Sequence, residues 1–261
     1  MQTRIEHDLL GTKMVPQDAY YGIHTLRAVE NFQISNLKIG QLTHFIRALA
    51  YVKKATAQSN FYFNKISQVQ LDAIEYATNQ LIDDPSRWAS QFPIDVYQGG
   101  AGTSVNMNCN EVIANIGLEY MGLEKGNYSA LHPNDHVNKS QSTNDVYPTA
   151  LRISLYQRLD GFLAVLSALI TTIQNKAHEI KNALKMGRTQ LQDAVPMTVG
   201  QEFKAFATLL NEDRKLIDQI RKLLLEINLG ATAIGTGVNT PKGFAQHVTQ
   251  RLRDITGLEV Q

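Results

Sequence analysis

The sequence predicts a mainly α-helical protein, and three observations carry that prediction. Leu151, Leu155, Leu159, Phe162, Leu166, Leu169, Ile173, Ala177, Ile180 and Leu184 step by threes and fours, the period of one helix face. Val199, Phe203, Phe206, Leu210, Ile217, Ile220, Leu224 and Ile227 do the same further on. No strand–turn–strand series is visible anywhere. The first stripe implies a helix of roughly 50 Å at ~1.5 Å per residue. Leu163 and Ile170 widen it. Joined by a short loop, the two helices would form an antiparallel αα-hairpin. Two helices cannot bury stripes this wide, so further helices or other subunits must cover them. Asp213 interrupts the second stripe where an apolar residue is due, which predicts a polar partner or solvent there.

Composition narrows the class. At 261 residues, 43% hydrophobic and 19% charged, the chain is long enough for one large domain or two modest ones. A net charge of +1 gives no basic face for nucleic acid. Cys109 is the one cysteine, so no internal disulfide or multi-cysteine zinc site is possible. A reducing cytoplasm is the simplest compartment. The opening MQTRIEHDLLG has no apolar signal-peptide core, and no uninterrupted apolar run is long enough to span a bilayer.

In chain order, residues 1–40 read as irregular or short elements, with Arg27 and Glu30 at helical pairing distance. Leu42, Phe45, Ile46, Leu49 and Val52 then share one helix face. Ser67 and Gln70 have capping-box spacing ahead of Ile74, Ala77 and Leu81, and Asp83, Asp84 and Pro85 stop that helix. Gly99, Gly100 and Gly102 suit a loop whose N–H groups point at an anion. A further helix follows through Val105, Cys109, Val112, Ile116 and Tyr120, with Gly122 as its C′ residue. Thr103 and Ser104 thus lie at a helix N-terminus, an anion site or a plain cap. In the tail, Gly235 and Gly237 faintly resemble a nucleotide fingerprint but no strand precedes them. A last helix starts near Pro241.

The most unusual stretch is HPNDHVNKSQSTNDVYP, His132 to Pro148. From Asn134 to Asp145 only Val137 is apolar. Its hydroxyls and amides can grip a carboxylate without neutralising it. His132 and His136 have the spacing of two metal ligands on a helix, but Pro133 and the lack of a nearby third ligand favour hydrogen-bonded loop histidines. Ser142, Thr143 and Asn144 precede Asp145 and Pro148, a helix start that either binds a ligand or simply caps.

GAGTSVNMNCNEV, HPNDHVNKSQSTNDVYPTALRI and MGRTQLQDAVPMTVGQEF, in this order, together with RIEHDLLGTKMVPQDAYYGIHTLRAVENF at the start, resemble the aspartase/fumarase superfamily of lyases. The resemblance runs from end to end. Thr143 and Gln190 resemble its aspartase branch, where fumarases usually carry Ser and His. It implies a reversible elimination of ammonia from L-aspartate to give fumarate, in a mainly α fold with a central long-helix bundle shared in a homotetramer. No cofactor, metal, nucleic acid or membrane is expected. Thr103, Ser142 and Thr143 would hold the β-carboxylate, whose charge grows as the neighbouring carbon loses its proton. Asn144 would bind near the amino group, Thr189 would bind the α-carboxylate, and Gln190, a neutral amide, would only position substrate. His136 and Lys139 match family positions, and His136 could serve an outer acid-binding role.

One departure from the family pattern shapes the remaining expectations. The family's catalytic serine stands in a Gly-Ser-Ser loop with a motif like Met-Pro-x-Lys-x-Asn, and this sequence contains no such stretch. The serine base is therefore expected beyond Gln261. The chain is expected to be a truncated N-terminal portion: residues 1–141 an N-terminal lyase domain, 142–261 the first part of the bundle, and the whole inactive alone. The alternatives are a class II fumarase fragment, against which Thr143 and Gln190 count, and a non-catalytic helical scaffold of the eye-lens kind.

Overall fold

The computed structural model describes residues 2–261. They form two compact units, one made of residues up to Ser154 together with Leu225–Gln261, the other of Leu155–Leu224.

The first unit opens on an antiparallel hairpin, β1 (Thr3–Asp8) and β2 (Gly11–Pro16). This corrects the expectation that no strand pair is present. Arg4 holds the hairpin: its buried guanidinium bonds Glu6 and the carbonyls of Pro16, Ala19 and Tyr21. The chain then enters α1 (Ile23–Asn31). Arg27 does not pair with Glu30 along this helix; it reaches back to Asp8 through two bonds of 2.8 Å, because the hairpin offers a fixed carboxylate that two parallel N–H groups can meet.

Helices α2 (Thr43–Tyr62), α3 (Gln68–Asp83) and α4 (Thr103–Tyr120) form the core. Phe45, Ile46, Leu49 and Val52 are buried with Ile74, Ala77 and Leu81, as the period-3.6 pattern requires. The Ser67/Gln70 capping box is formed. Gly122 stands at the C′ position of α4 with φ 73°, and the Leu123 N–H bonds the Leu118 carbonyl, a Schellman closure. The last helix, α7 (Phe244–Thr256), begins after Gly243 and packs on α2, with Phe244, Val248 and Leu252 buried.

Helix α5 (Thr143–Glu179) is 37 residues long, or about 55 Å. It ends before Leu184, because the segment that follows is not a short loop but a second hairpin, β3 (Leu184–Thr189) and β4 (Gln192–Thr198). Gln190 and Leu191 turn it, both at positive φ, as a two-residue hairpin loop demands. Helix α6 (Val199–Arg221) follows, capped by Thr198 and Gln201, and passes into one 3₁₀ turn, Lys222–Leu225. The second stripe therefore leaves α-helix before Leu224. Within the second unit the helices run antiparallel. Arg221 pairs with Asp160 at 2.6 Å and stacks on Tyr156. Gly200 lies against the Ala177 carbonyl so closely that a Cβ there would sit 2.6 Å from its oxygen. Leu166, Ile170, Ala177 and Ala207 are buried, while Phe162, Val165, Leu169, Phe206, Leu209 and Leu216 are exposed, so the over-wide stripes are only partly covered within the chain. Asp213 faces solvent.

Among the described residues α5 is the one helix long and apolar enough, by length and composition, to cross a membrane. The core helix of a soluble protein passes the same test, and α5 carries Arg152, Arg158, Asp160, Lys176 and Glu179 along its length.

Candidate functional site

Two of the three polar stretches meet in the first unit. Gly100, Ala101 and Gly102 approach Asn144, Tyr147 and Pro148 around a cavity of about 370 Å³ that no charged side chain lines. Gly102 is the N-cap of α4 at φ 92°, a left-handed conformation that glycine adopts without strain. Thr103 is the first helical residue and exposed; it is not the cap, so its hydroxyl is not spent on the helix end. Gly102 also abuts Tyr147: a Cβ would fall 2.2 Å from the ring. Gly102→Ala is therefore expected to cost about 2–3 kcal/mol, from left-handed strain plus displacement of the ring, and calorimetric melting checks it. A variant melting with the parent would mean that the loop rearranges freely.

The polar stretch begins with one turn of π-helix, Pro133–Val137, capped by His132. His132 Nδ1 accepts from the N–H groups of Asn134 and Asp135. His136 Nδ1 accepts from the His132 N–H at 2.8 Å, which leaves the His136 proton on Nε2. Burial, together with the neighbouring His132, lowers the His136 pKa. The Lys139 side chain is exposed while its carbonyl accepts from Asn60. Ser140 has φ 60° and turns the chain into α5.

At the N-terminus of α5, Ser142 Oγ accepts from the Asn144 N–H at 3.2 Å, and Thr143 Oγ1 accepts from Asn106 Nδ2 at 3.2 Å. Both oxygens are occupied as acceptors, so each hydroxyl proton can be given to a ligand. Asp145 is buried and ties the helix start to the segment before α7. Its carboxylate accepts from the N–H groups of Ser142, Gly230 and Thr232, and burial raises its pKa against these bonds. Pro148 has no N–H for the Asn144 carbonyl four residues back, and the Asn228 side chain fills that acceptor at 3.0 Å. Asn144 Nδ2 donates to the Ala233 carbonyl at 2.8 Å, which leaves Oδ1 as an acceptor.

Thr189 and Gln190 lie at the exposed tip of the β3–β4 hairpin, in the second unit. The chain by itself thus groups Thr103 with Ser142, Thr143 and Asn144, and holds Thr189 with Gln190. Lys53 and Glu111 were missed by the sequence reading, and both are fully buried. The available signal was a charge at an apolar position: Lys53 stands four residues after Leu49 on the inward face of α2.

With this geometry in view, the class of protein is defined. The family profile described as "Lyase" matches residues 11–261, and the chain belongs to that family. It is 56% identical to the aspartate ammonia-lyase of Escherichia coli K12 over 97% of this chain and 53% of the relative. It is 52% identical to that of Corynebacterium glutamicum over 99% and 49%. Among solved structures, the fumarate lyase:delta crystallin from Brucella melitensis bound to cobalt superposes with a TM-score of 0.92 at 47% identity, over 100% of this chain and 56% of that one. Recombinant class II fumarase from Schistosoma mansoni gives 0.85 at 35% identity, over 98% and 53%.

These matches correct three expectations. The family's fold extends through all of this chain, so the fold is not that of a truncated N-terminal domain. Identity to aspartate ammonia-lyases over nearly the whole chain likewise overturns the reading of an N-terminal portion that lacks its base and is inactive alone. That reading drew chemistry from the position of the last residue, which carries no such information. The chain spans about half the length of the curated relatives it matches.

Proposed function

We propose that the chain acts in the reversible elimination of ammonia from L-aspartate to fumarate. One observation carries the proposal: at the start of α5 the Ser142 and Thr143 oxygens accept from Asn144 N and Asn106 Nδ2, which leaves both hydroxyl protons to give, beside a cavity that Asn144 lines and no charged side chain enters. As the substrate loses its proton, the β-carboxylate gains a second negative charge. Preorganised neutral donors and the free N–H groups of a helix start stabilise that charge more than the ground state. Thr103, Ser142 and Thr143 take this role. Asn144, with Nδ2 engaged on Ala233, turns an acceptor toward the substrate ammonium. Thr189 binds the α-carboxylate and Gln190 positions it, while His136 and Lys139 are accessory.

Residues 1–141 serve as the N-terminal lyase domain and 142–261 supply helices to a central bundle. The exposed apolar faces of α5 and α6 support a homotetramer, in the cytoplasm, whose active sites combine the first two stretches of one subunit with the Thr189–Gln190 hairpin of another. The names of the relatives, and Thr143 with Gln190, support aspartate over malate. Fumarate absorbance followed with each substrate decides it: L-aspartate is expected to be deaminated, and faster turnover of L-malate would sink the assignment.

A further inference from the structure

Lys53 stands outside this binding set, yet it is among the largest fully buried side chains of the core. Each hydrogen of its ammonium meets an amide oxygen: Asn106 Oδ1 at 2.7 Å, Asn138 Oδ1 at 2.9 Å and Gln141 Oε1 at 2.8 Å. A cation placed in a core without a carboxylate in hydrogen-bond contact is costly, and an apolar side chain of similar volume would pack there at less cost. Burial lowers its pKa to about 8, which keeps the donor form dominant near neutral pH.

An ammonium has three donors and no acceptor. It therefore dictates that each surrounding amide presents its oxygen. For Asn106 this choice turns Nδ2 the other way, onto Asn138 Oδ1 at 3.1 Å and Thr143 Oγ1 at 3.2 Å. A threonine oxygen that accepts from an amide directs its own proton elsewhere. Were Asn106 flipped, its oxygen would face Thr143 and capture that proton.

We propose that Lys53 is a positioning residue: by fixing the orientation of Asn106 it makes the Thr143 hydroxyl a donor to the substrate carboxylate. The proposal rests on the lyase reading of Thr143. It is distinct from a packing role, which would be satisfied by any side chain that fills the volume.

Two variants and two readouts test it. In Lys53→Met the amides lose the group that orients them. The side-chain amide resonances of Asn106 and Asn138 should then move, and fumarate affinity by calorimetric titration should fall about tenfold or more, the loss of one good donor. Unmoved Asn106 resonances in a folded Lys53→Met variant overturn the proposal. Asn106→Asp covers the case in which Lys53→Met does not fold. It keeps the shape and adds an ion pair to Lys53, but cannot donate to Thr143. It should melt at or above the parent temperature yet bind fumarate about tenfold more weakly, with no further loss when combined with Thr143→Val, since both changes remove one shared contact. Parental fumarate affinity in Asn106→Asp, or losses that multiply in the double variant, overturn it. If the parent binds no fumarate at all, the lyase reading fails on its own, and the resonance shifts still decide whether Lys53 orients Asn106.

Discussion

Replacing Glu111 by alanine is expected to lower folding stability by about 4 kcal/mol or more, since each buried donor left without a partner costs ~1–3 kcal/mol. The Glu111 carboxylate, on α4, reaches the start of α1 and accepts from Gly22 N at 2.8 Å, His24 N at 2.8 Å, Thr25 N at 3.1 Å and Thr25 Oγ1 at 2.6 Å. Three of these donors are orphan N–H groups of a helix that has no side-chain cap of its own, so a residue from another element supplies the cap. A protein of this size loses about 2–4 °C of melting temperature per kcal/mol, so Glu111→Ala should melt roughly 10 °C lower. Melting within two or three degrees of the parent would refute the anchoring role.

The same group makes stability depend on pH. Burial, opposed by the four bonds and reinforced by the nearby Glu6, pushes the Glu111 carboxyl from an ordinary 4.5 up to about 7. The folded chain thus holds this proton to a higher pH than the unfolded chain does. Its contribution is fully present below about 4.5 and is lost as pH rises through about 7. Glu111→Gln cannot titrate and retains an acceptor for most of these donors. The difference in urea midpoint between parent and Glu111→Gln should therefore change across that window and be flat on either side of it. A difference that is constant from pH 4 to pH 8 contradicts the account.

Thr143→Val separates binding from architecture. The change keeps the shape and removes one hydroxyl. A donor aimed at developing negative charge is worth about 3–4 kcal/mol, a hundredfold or more in rate. As a fold contact, Thr143 only receives one of the two bonds made by Asn106 Nδ2, whose other acceptor, Asn138, stays in place, so the structural cost is about 1 kcal/mol. Turnover of L-aspartate should fall about a hundredfold while the melting temperature drops by a few degrees at most. The reverse pattern, intact rate with a lower melting point, returns Thr143 to a purely structural part.

What the sequence by itself determined follows from local periodicity and local caps. The stripe of α2, the Ser67/Gln70 box ahead of α3 and Gly122 closing α4 each depend on residues a few positions apart. The long polar stretch stood out for the same reason: eleven polar residues broken only by Val137 make no sense as core. The two hairpins were illegible. Neither Leu9–Leu10 nor Gln190–Leu191 is a glycine- or asparagine-marked turn, and β1 and β2 are stabilised by Arg4 bonding carbonyls twelve to seventeen residues away. Only the tertiary structure decided where the buried charges go. Glu111 looks like an ordinary solvated residue in its own helix, and Lys53, although it falls on the inward face of α2, carries no local sign of what would meet its charge. What keeps them charged or hydrogen-bonded in the core is a set of partners more than fifty residues distant in the chain. Desolvating an ion is tolerable only where every one of its hydrogen-bonding positions is met, and that condition is fulfilled by packing, which no local pattern encodes.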